Sequence, residues 1–267
     1  MNPTPSGRLF LIWREPLSRA QYPIGELSFD GDQYRFSYDT GALRVAERHG
    51  FSLTSLPLVA AFPERDETYT STDLFSAVAH RLPDPRRPDY GKLLARLGLS
   101  RESHPFQILR KTRGRLATDE LSFEETPTRT AEGLIIKCYV SGWRFYSGES
   151  VVKDLAIGDS VELERDQSNR FDPHAVKVCG PQNKMLGFIP VYDSAESAHA
   201  LSTARRVSAT ITEINPPPLP STDRLRIRIV IAPRPHAREK MVHPAFPWVT
   251  PRCSDGVVGV FRGRPAK

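Results

Sequence analysis

Two segments in the last quarter of the chain, Val207–Ile214 (VSATITEI) and Leu225–Ile231 (LRIRIVI), alternate apolar with polar or charged residues, and the proline loop NPPPLPSTD joins them. Period-two alternation sends successive side chains to opposite faces of a strand, so each segment can bury only one face. The three consecutive prolines of the connection exclude a helix between them, which predicts an antiparallel strand pair. Upstream, 134–140, 161–165, 175–179 and 185–189 are short apolar runs separated by turn residues. Asp193-Ser194-Ala195-Glu196 has the form of a capping box and predicts a helix from 193 to about 204. Strands with one helix before the final pair predict a small OB-like β-barrel with one or two helices over 129–235.

The polar stretch TPTRT at 126–130 interrupts the periodicity and sets the boundary with a first domain at 1–128. That domain opens with an apolar strand at 9–13. A hairpin over 24–38 then turns at Asp30-Gly31 and gathers Leu27, Phe29, Tyr34, Phe36 and Tyr38 on one face. Helices are predicted over 41–48, 73–80, 90–97 and 100–111, with Gly50 and Gly98 closing the first and third. The whole is an α+β chain, a small α+β module followed by the barrel. Its proline-rich tail at 236–267 lacks periodicity and reads as irregular.

Hydrophobic residues make up 39% and charged residues 25%, proportions that support packed cores. No apolar run approaches the ~20 residues that span a bilayer, and the N-terminus lacks the pattern of a secretory signal. Cys138, Cys179 and Cys253 have neither metal-ligand nor disulfide-framework spacing, as expected of thiols in a reducing cytoplasm. Phosphate-loop, nucleophile-elbow and zinc-hydrolase motifs are all missing, so neither catalysis nor a cofactor or metal is expected. The net charge of +6 is uneven: +1 over 1–130, −3 over 131–196 and +8 over 197–267. A basic excess of that kind suits a phosphate-bearing partner or mere solubility.

Single-stranded nucleic acid is held by aromatic faces that stack on bases and by cations that meet phosphates. Arg144 beside Phe145 supplies one of each. Phe171 precedes Asp172, a carboxylate able to accept from the hydroxyl of a chain end. The same aromatics would equally fill a barrel, and Asn169 with Asp172-Pro173 would equally make an ordinary turn. Arg224, Arg226 and Arg228 alternate with core residues and form an outer stripe, either a phosphate track or edge-strand protection.

RFYSGE at 144–149, GDSVELERDQSNRFDPHAVKV at 158–178 and LGFIP at 186–190 together resemble the HIRAN family over about a hundred residues. HIRAN domains have an OB-like fold and, in fork-remodelling helicases, hold the 3′ end of single-stranded DNA. The resemblance implies that Phe145 and Phe171 stack on terminal bases, Arg144 meets a phosphate, and Asn169 and Asp172 hold the end. The chain departs from the helicase members in carrying phenylalanines where they have tyrosines, and in lacking a lysine near 189–192.

IGELSFDGDQYRFSYD at 24–39, SLTSLPL at 52–58, the segment 74–99 and PFQILRKTRGRLATDELSF at 105–123 look like the N-terminal subdomain of HipA-family toxins. There it precedes a kinase-like core that this chain lacks. The resemblance implies docking of a separate HipA-like kinase or its helix-turn-helix antitoxin, and a scaffold retained for stability is the alternative. Tyr34, Phe36 and Tyr38 with Leu93, Leu94 and Leu97 can make a small core, and a module of this size often leaves an interaction patch beside it. The two resemblances imply a bacterial cytoplasmic adaptor without enzymatic activity, or else a protein-binding antitoxin that does not touch DNA.

Overall fold

A computed structural model describes residues 5–52, 60–203, 205–217 and 219–233; the expected irregular tail, Cys253 and most of SLTSLPL lie outside them. The chain is α+β, with two antiparallel sheets carrying most of the structure. The first holds β1 (Gly7–Arg14), β2 (Gln21–Phe29), β3 (Tyr34–Tyr38), β4 (Thr68–Ser71) and β5 (Leu121–Glu125) in the order β4-β3-β2-β1-β5. The aromatic face of the predicted hairpin is buried in the core, where Phe29, Tyr34 and Phe36 join Leu9, Leu11, Leu43, Phe106 and Phe123. Among the described residues, α1 (Thr40–Arg48), α2 (Ser76–Ala79) and α4 (Pro105–Thr112) pack on it, and α3 (Tyr90–Arg96) packs through Tyr90 and Leu94 on Ile108 of α4. Asp39 caps α1 by accepting from the Ala42 amide at 2.8 Å.

Helix α4 starts later than residue 100 because His104 is its cap. Its Nδ1 accepts from the Phe106 amide while Gln107 accepts from the His104 amide, each at 3.2 Å, and Pro105 fills the first helical position. Strand β5, which the sequence reading missed, is anchored by the buried Arg81. Its guanidinium forks onto Asp119 at 2.6 and 2.7 Å and donates to the Gly114 carbonyl at 2.6 Å.

The second sheet holds β6 (Thr128–Thr130), β7 (Gly133–Tyr139), β8 (Ser160–Arg165), β9 (Val176–Cys179), β10 (Met185–Phe188), β11 (Val207–Ile214) and β12 (Leu225–Ile231), in the order β10-β9-β8-β11-β12-β7-β6. It carries the short α5 (Gly148–Val151) and α6 (Val191–Ser202). The sheet curls until the chain just beyond β7 meets β10, where Ser141 and Phe188 exchange both backbone hydrogen bonds at 2.8 and 2.9 Å. The expected barrel is therefore a curled sheet joined by one bridge, without a full ladder between its ends. Gly187 permits the join: a Cβ there would collide with the Ser141 carbonyl and Val140. Helix α6 begins at Val191 directly behind Pro190, two residues before the expected cap, so Asp193 sits in its first turn and makes no capping bond.

The two sheets meet across a buried junction of charges. Arg113, 4% exposed and held at φ 60° where α4 ends, donates to Glu124 and, at 2.5 Å, to Asp223. Arg226 pairs with Glu125 and, at 2.9 Å, with Glu213, which also receives Lys111. The Tyr139 ring lies against both guanidiniums, with centroid distances of 5.1 and 5.5 Å, and its hydroxyl donates to Glu213 at 3.0 Å. Burial opposes the Arg113 charge, but Glu124 and Asp223 outweigh it and push the guanidinium pKa up. Beside this junction Tyr192 packs on Phe10 and Ile12, so α6 covers part of the second face of the first sheet.

Asp193 is 1% exposed, and neither of its carboxylate oxygens has a hydrogen-bond partner among the described residues. Burial, then the nearby Glu124 and Glu125, hold its pKa well above the usual carboxylate range. A carboxyl whose pKa rises on folding adds nothing below its unfolded pKa of about 4, and costs stability as pH rises from there toward the folded pKa. The expected slope is about 1.4 kcal/mol per pH unit in that window. Asp193→Asn should therefore be more stable than wild type in urea unfolding at pH 8, with the difference closing toward pH 4. A difference independent of pH would mean that Asp193 is not forced to ionise in a closed site.

Candidate functional site

Most large side chains of the second domain are inside; Tyr146, Ile157 and Val191 are exposed, and two phenylalanines more so. Phe145 is 72% exposed and Phe171 is 96% exposed. Leaving two phenyl rings in water forgoes about 1.5–3 kcal/mol each, so filling the barrel is not what they do.

The backbone anchors both rings beside β10. Ser141, Phe188 and Lys177 lie in one row across three chain segments, since Phe188 is bridged to Ser141 and registered against Lys177. Two strand spacings separate the ends of that row by about 10 Å. Directly after Ser141 comes the turn carrying Arg144 and Phe145, and directly before Lys177 comes the β8–β9 loop carrying Phe171. The two are thus anchored on opposite flanks of β10. The Phe145 turn runs back along the strand to where the Ser147 amide donates to the Met185 carbonyl at 2.9 Å. The Phe171 loop lies beyond Phe188, past the Ile189 amide that donates to the Val176 carbonyl at 2.9 Å.

Each turn is built to hold its ring. In the first, Trp143 is buried beneath the chain and Gly148 lies flat against its indole, where a Cβ would collide. That packing turns Arg144, Phe145 and Tyr146 outward. The Arg144 guanidinium lies 4.5 Å from the Phe145 ring centroid, and Tyr146 packs edge-on against Phe188 at 5.6 Å. In the second, the Asp166 amide donates to the Ala175 carbonyl at 2.9 Å and closes the base. Asn169 Oδ1 then accepts from the Phe171 and Asp172 amides at 3.0 and 3.1 Å, and Asp172 Oδ1 accepts from the His174 amide at 2.8 Å. The loop is an Asx-stabilised turn with Phe171 at its tip.

The structure divides the expected site residues accordingly. Arg144, Phe145 and Phe171 present free faces or charge, Asn169 shapes the loop, and Asp172 does so through one oxygen while staying partly open to solvent. Tyr146, exposed beside Phe145, and Lys177, at the foot of the loop, both stand in the sequence motif, and both neighbour Phe188, Tyr146 through its ring and Lys177 through the register.

The arginine stripe is not an exposed track. Strand β12 lies between β11 and β7, so it is not an edge. Arg224 and Arg226 are buried, the first bonded to Glu149 at 3.0 Å and the Asn215 carbonyl at 2.8 Å, the second to Glu125 and Glu213. Arg228 pairs with Glu132 at 2.7 Å. Alternation correctly put these residues opposite the barrel core, but each is paired there, Arg224 and Arg228 within the second domain and Arg226 also with Glu125 of the first. Of the residues expected to make a small core in the first domain, Tyr34, Phe36, Tyr38 and Leu94 are buried, and Leu93 and Leu97 half-buried. Among the described residues there is no group of metal-ligating side chains, and no helix is long and apolar enough to cross a membrane.

The profile of the HIRAN domain matches residues 135–232, and that of the HipA N-terminal domain matches residues 18–117. No curated protein matches the chain. Among solved structures, the HIRAN domain of human HLTF is similar at 16% identity and a TM-score of 0.30, covering 36% of this chain and 74% of that one. A protein from Lactobacillus plantarum, solved by a structural genomics consortium, is similar at 21% identity and a TM-score of 0.30, covering 35% of this chain and 91% of its own.

Proposed function

We propose that this chain, a HipA N-terminal domain joined to a HIRAN domain, is a non-catalytic adaptor that binds single-stranded DNA through the exposed rings of the HIRAN domain and a protein partner through its other domain. The observation that carries the reading is the pair of exposed rings, Phe145 and Phe171, held by turns on the two flanks of β10, with Arg144 against the first. A purely protein-binding antitoxin has no need to hold two aromatic faces ready for stacking beside a cation. The partly open Asp172 favours a 3′ end, because a terminal hydroxyl is a donor and an internal phosphate is not. The HipA domain supports a HipA-like kinase, or its helix-turn-helix antitoxin, as the partner in a bacterial toxin–antitoxin setting in the cytoplasm.

Fluorescence anisotropy with a labelled single strand, the same strand 3′-phosphorylated, and a blunt duplex tests the DNA half. The free strand should bind tightest. Equal affinity for the first two removes end capture, and binding to none removes DNA binding altogether. Co-expression with a kinase-like neighbour, followed by size-exclusion chromatography, tests the docking half, and separate elution would count against it.

A further inference from the structure

Arg165, the last residue of β8, makes contacts that neither domain's packing requires. Its Nη1 donates to the Ser202 hydroxyl at 2.7 Å and its Nη2 donates to the Pro173 carbonyl at 3.1 Å. Its Nε is buried and has no partner among the described residues, while the two bonds of its terminal nitrogens lie toward the surface. Ser202 in turn donates to the Ala198 carbonyl at 2.8 Å, which commits its proton to the helix and leaves its lone pairs for Arg165. One planar fork therefore ties the descending limb of the 166–175 loop, two residues past Phe171, to the last turn of α6. A lysine, with a single point charge, does not hold two acceptors at a fixed angle in this way.

The other end of α6 is fixed as well. Its first turn carries Tyr192, packed on Phe10 and Ile12 of β1, and the buried Asp193 beside Glu124 and Glu125. Twelve residues of helix, about 18 Å, thus run from the first sheet to the aromatic loop.

We infer that Arg165 is a positioning residue: it latches the Phe171 loop onto α6 so that the ring is held ready to stack. The inference rests on the single-strand reading for its consequence, but the latch itself is tested without any ligand.

The experiment compares full-length wild type, Arg165→Met, Ser202→Ala and the double variant. In hydrogen exchange without nucleic acid, amides of 167–174 should exchange faster in all three variants while the rest of the barrel is unchanged. Affinity for labelled oligothymidine should fall roughly tenfold for Arg165→Met, the worth of about one charge-assisted hydrogen bond, and Ser202→Ala should lose part of that. The double variant should be no worse than Arg165→Met alone, because both substitutions open one latch. The slope of log K against log salt should not change in any of them.

A slope flattened by about 0.7 in Arg165→Met, with Ser202→Ala silent, would make Arg165 a phosphate contact and overturn the latch. Unchanged loop exchange in every variant would overturn it too. If wild type binds no strand, the functional reading fails, while the exchange measurement still decides for or against the latch.

Discussion

Replacing Arg113 with methionine is expected to cost about 3–5 kcal/mol of stability in urea unfolding, the range for removing one partner of a buried ion pair. Methionine keeps much of the apolar stem but removes the charge that Glu124 and Asp223 share. Glu124 is as buried as Arg113, so its carboxylate would keep only Ser122 at 2.9 Å and Arg115 at 3.4 Å in a closed site beside Asp193. The cost comes from that abandoned charge more than from the lost attraction, and a second substitution reveals the difference. Glu124→Gln in the Arg113→Met background should recover a good part of the loss, whereas Glu124→Gln alone should destabilise. A cost below about 1 kcal/mol would place the junction in the class of surface pairs, and the two domains would not be held together through it.

Phe171→Ala should weaken binding of a labelled single strand by about 1–3 kcal/mol, or roughly five- to 150-fold, the usual loss of one base stack. Its effect on unfolding should be within about 0.5 kcal/mol, because a 96% exposed ring contributes little burial. The combination distinguishes a ligand-facing ring from a structural one, since a ring that filled the barrel would lose stability first. Phe145→Ala should behave alike, with a smaller loss because the Arg144 guanidinium already covers one face. Unchanged affinity in both variants with an intact fold would leave the exposed rings without a stacking role.

The strands of the second domain were legible because period-two alternation is a local signal, and Val207–Ile214 and Leu225–Ile231 form where the pattern puts them. The hairpin around Asp30-Gly31 was legible for the same reason. Strands β4, β5 and β6 were not: TYTS, LSFEE and TRT have no marked alternation and exist because a neighbouring strand pairs with them. The start of α6 was misplaced because D-x-x-E at 193–196 imitates a cap, while Pro190 and the burial of Asp193 beneath the first domain fix the real boundary.

Beside β10, the motif gave Arg144, Phe145, Asn169, Phe171 and Asp172, but their exposure and division of labour are tertiary facts. The arginine stripe shows the limit most clearly. Alternation establishes that Arg224, Arg226 and Arg228 point away from the barrel core, yet nothing local reveals that Glu125 of another sheet meets Arg226 there. Arg165 went unassigned because its partners, Pro173 and Ser202, lie eight and 37 residues away.

The central claim, that nucleic acid is held by the two exposed rings, is tested most directly by mapping hydrogen exchange of the full-length chain with and without oligothymidine. The account predicts slowed exchange in 142–147 and 166–175, and none in the 84–89 proline turn, where Arg86 and Arg87 are paired with Asp84 and Asp89. Protection confined to the first domain, or unaltered exchange in both segments under saturating strand, would contradict it.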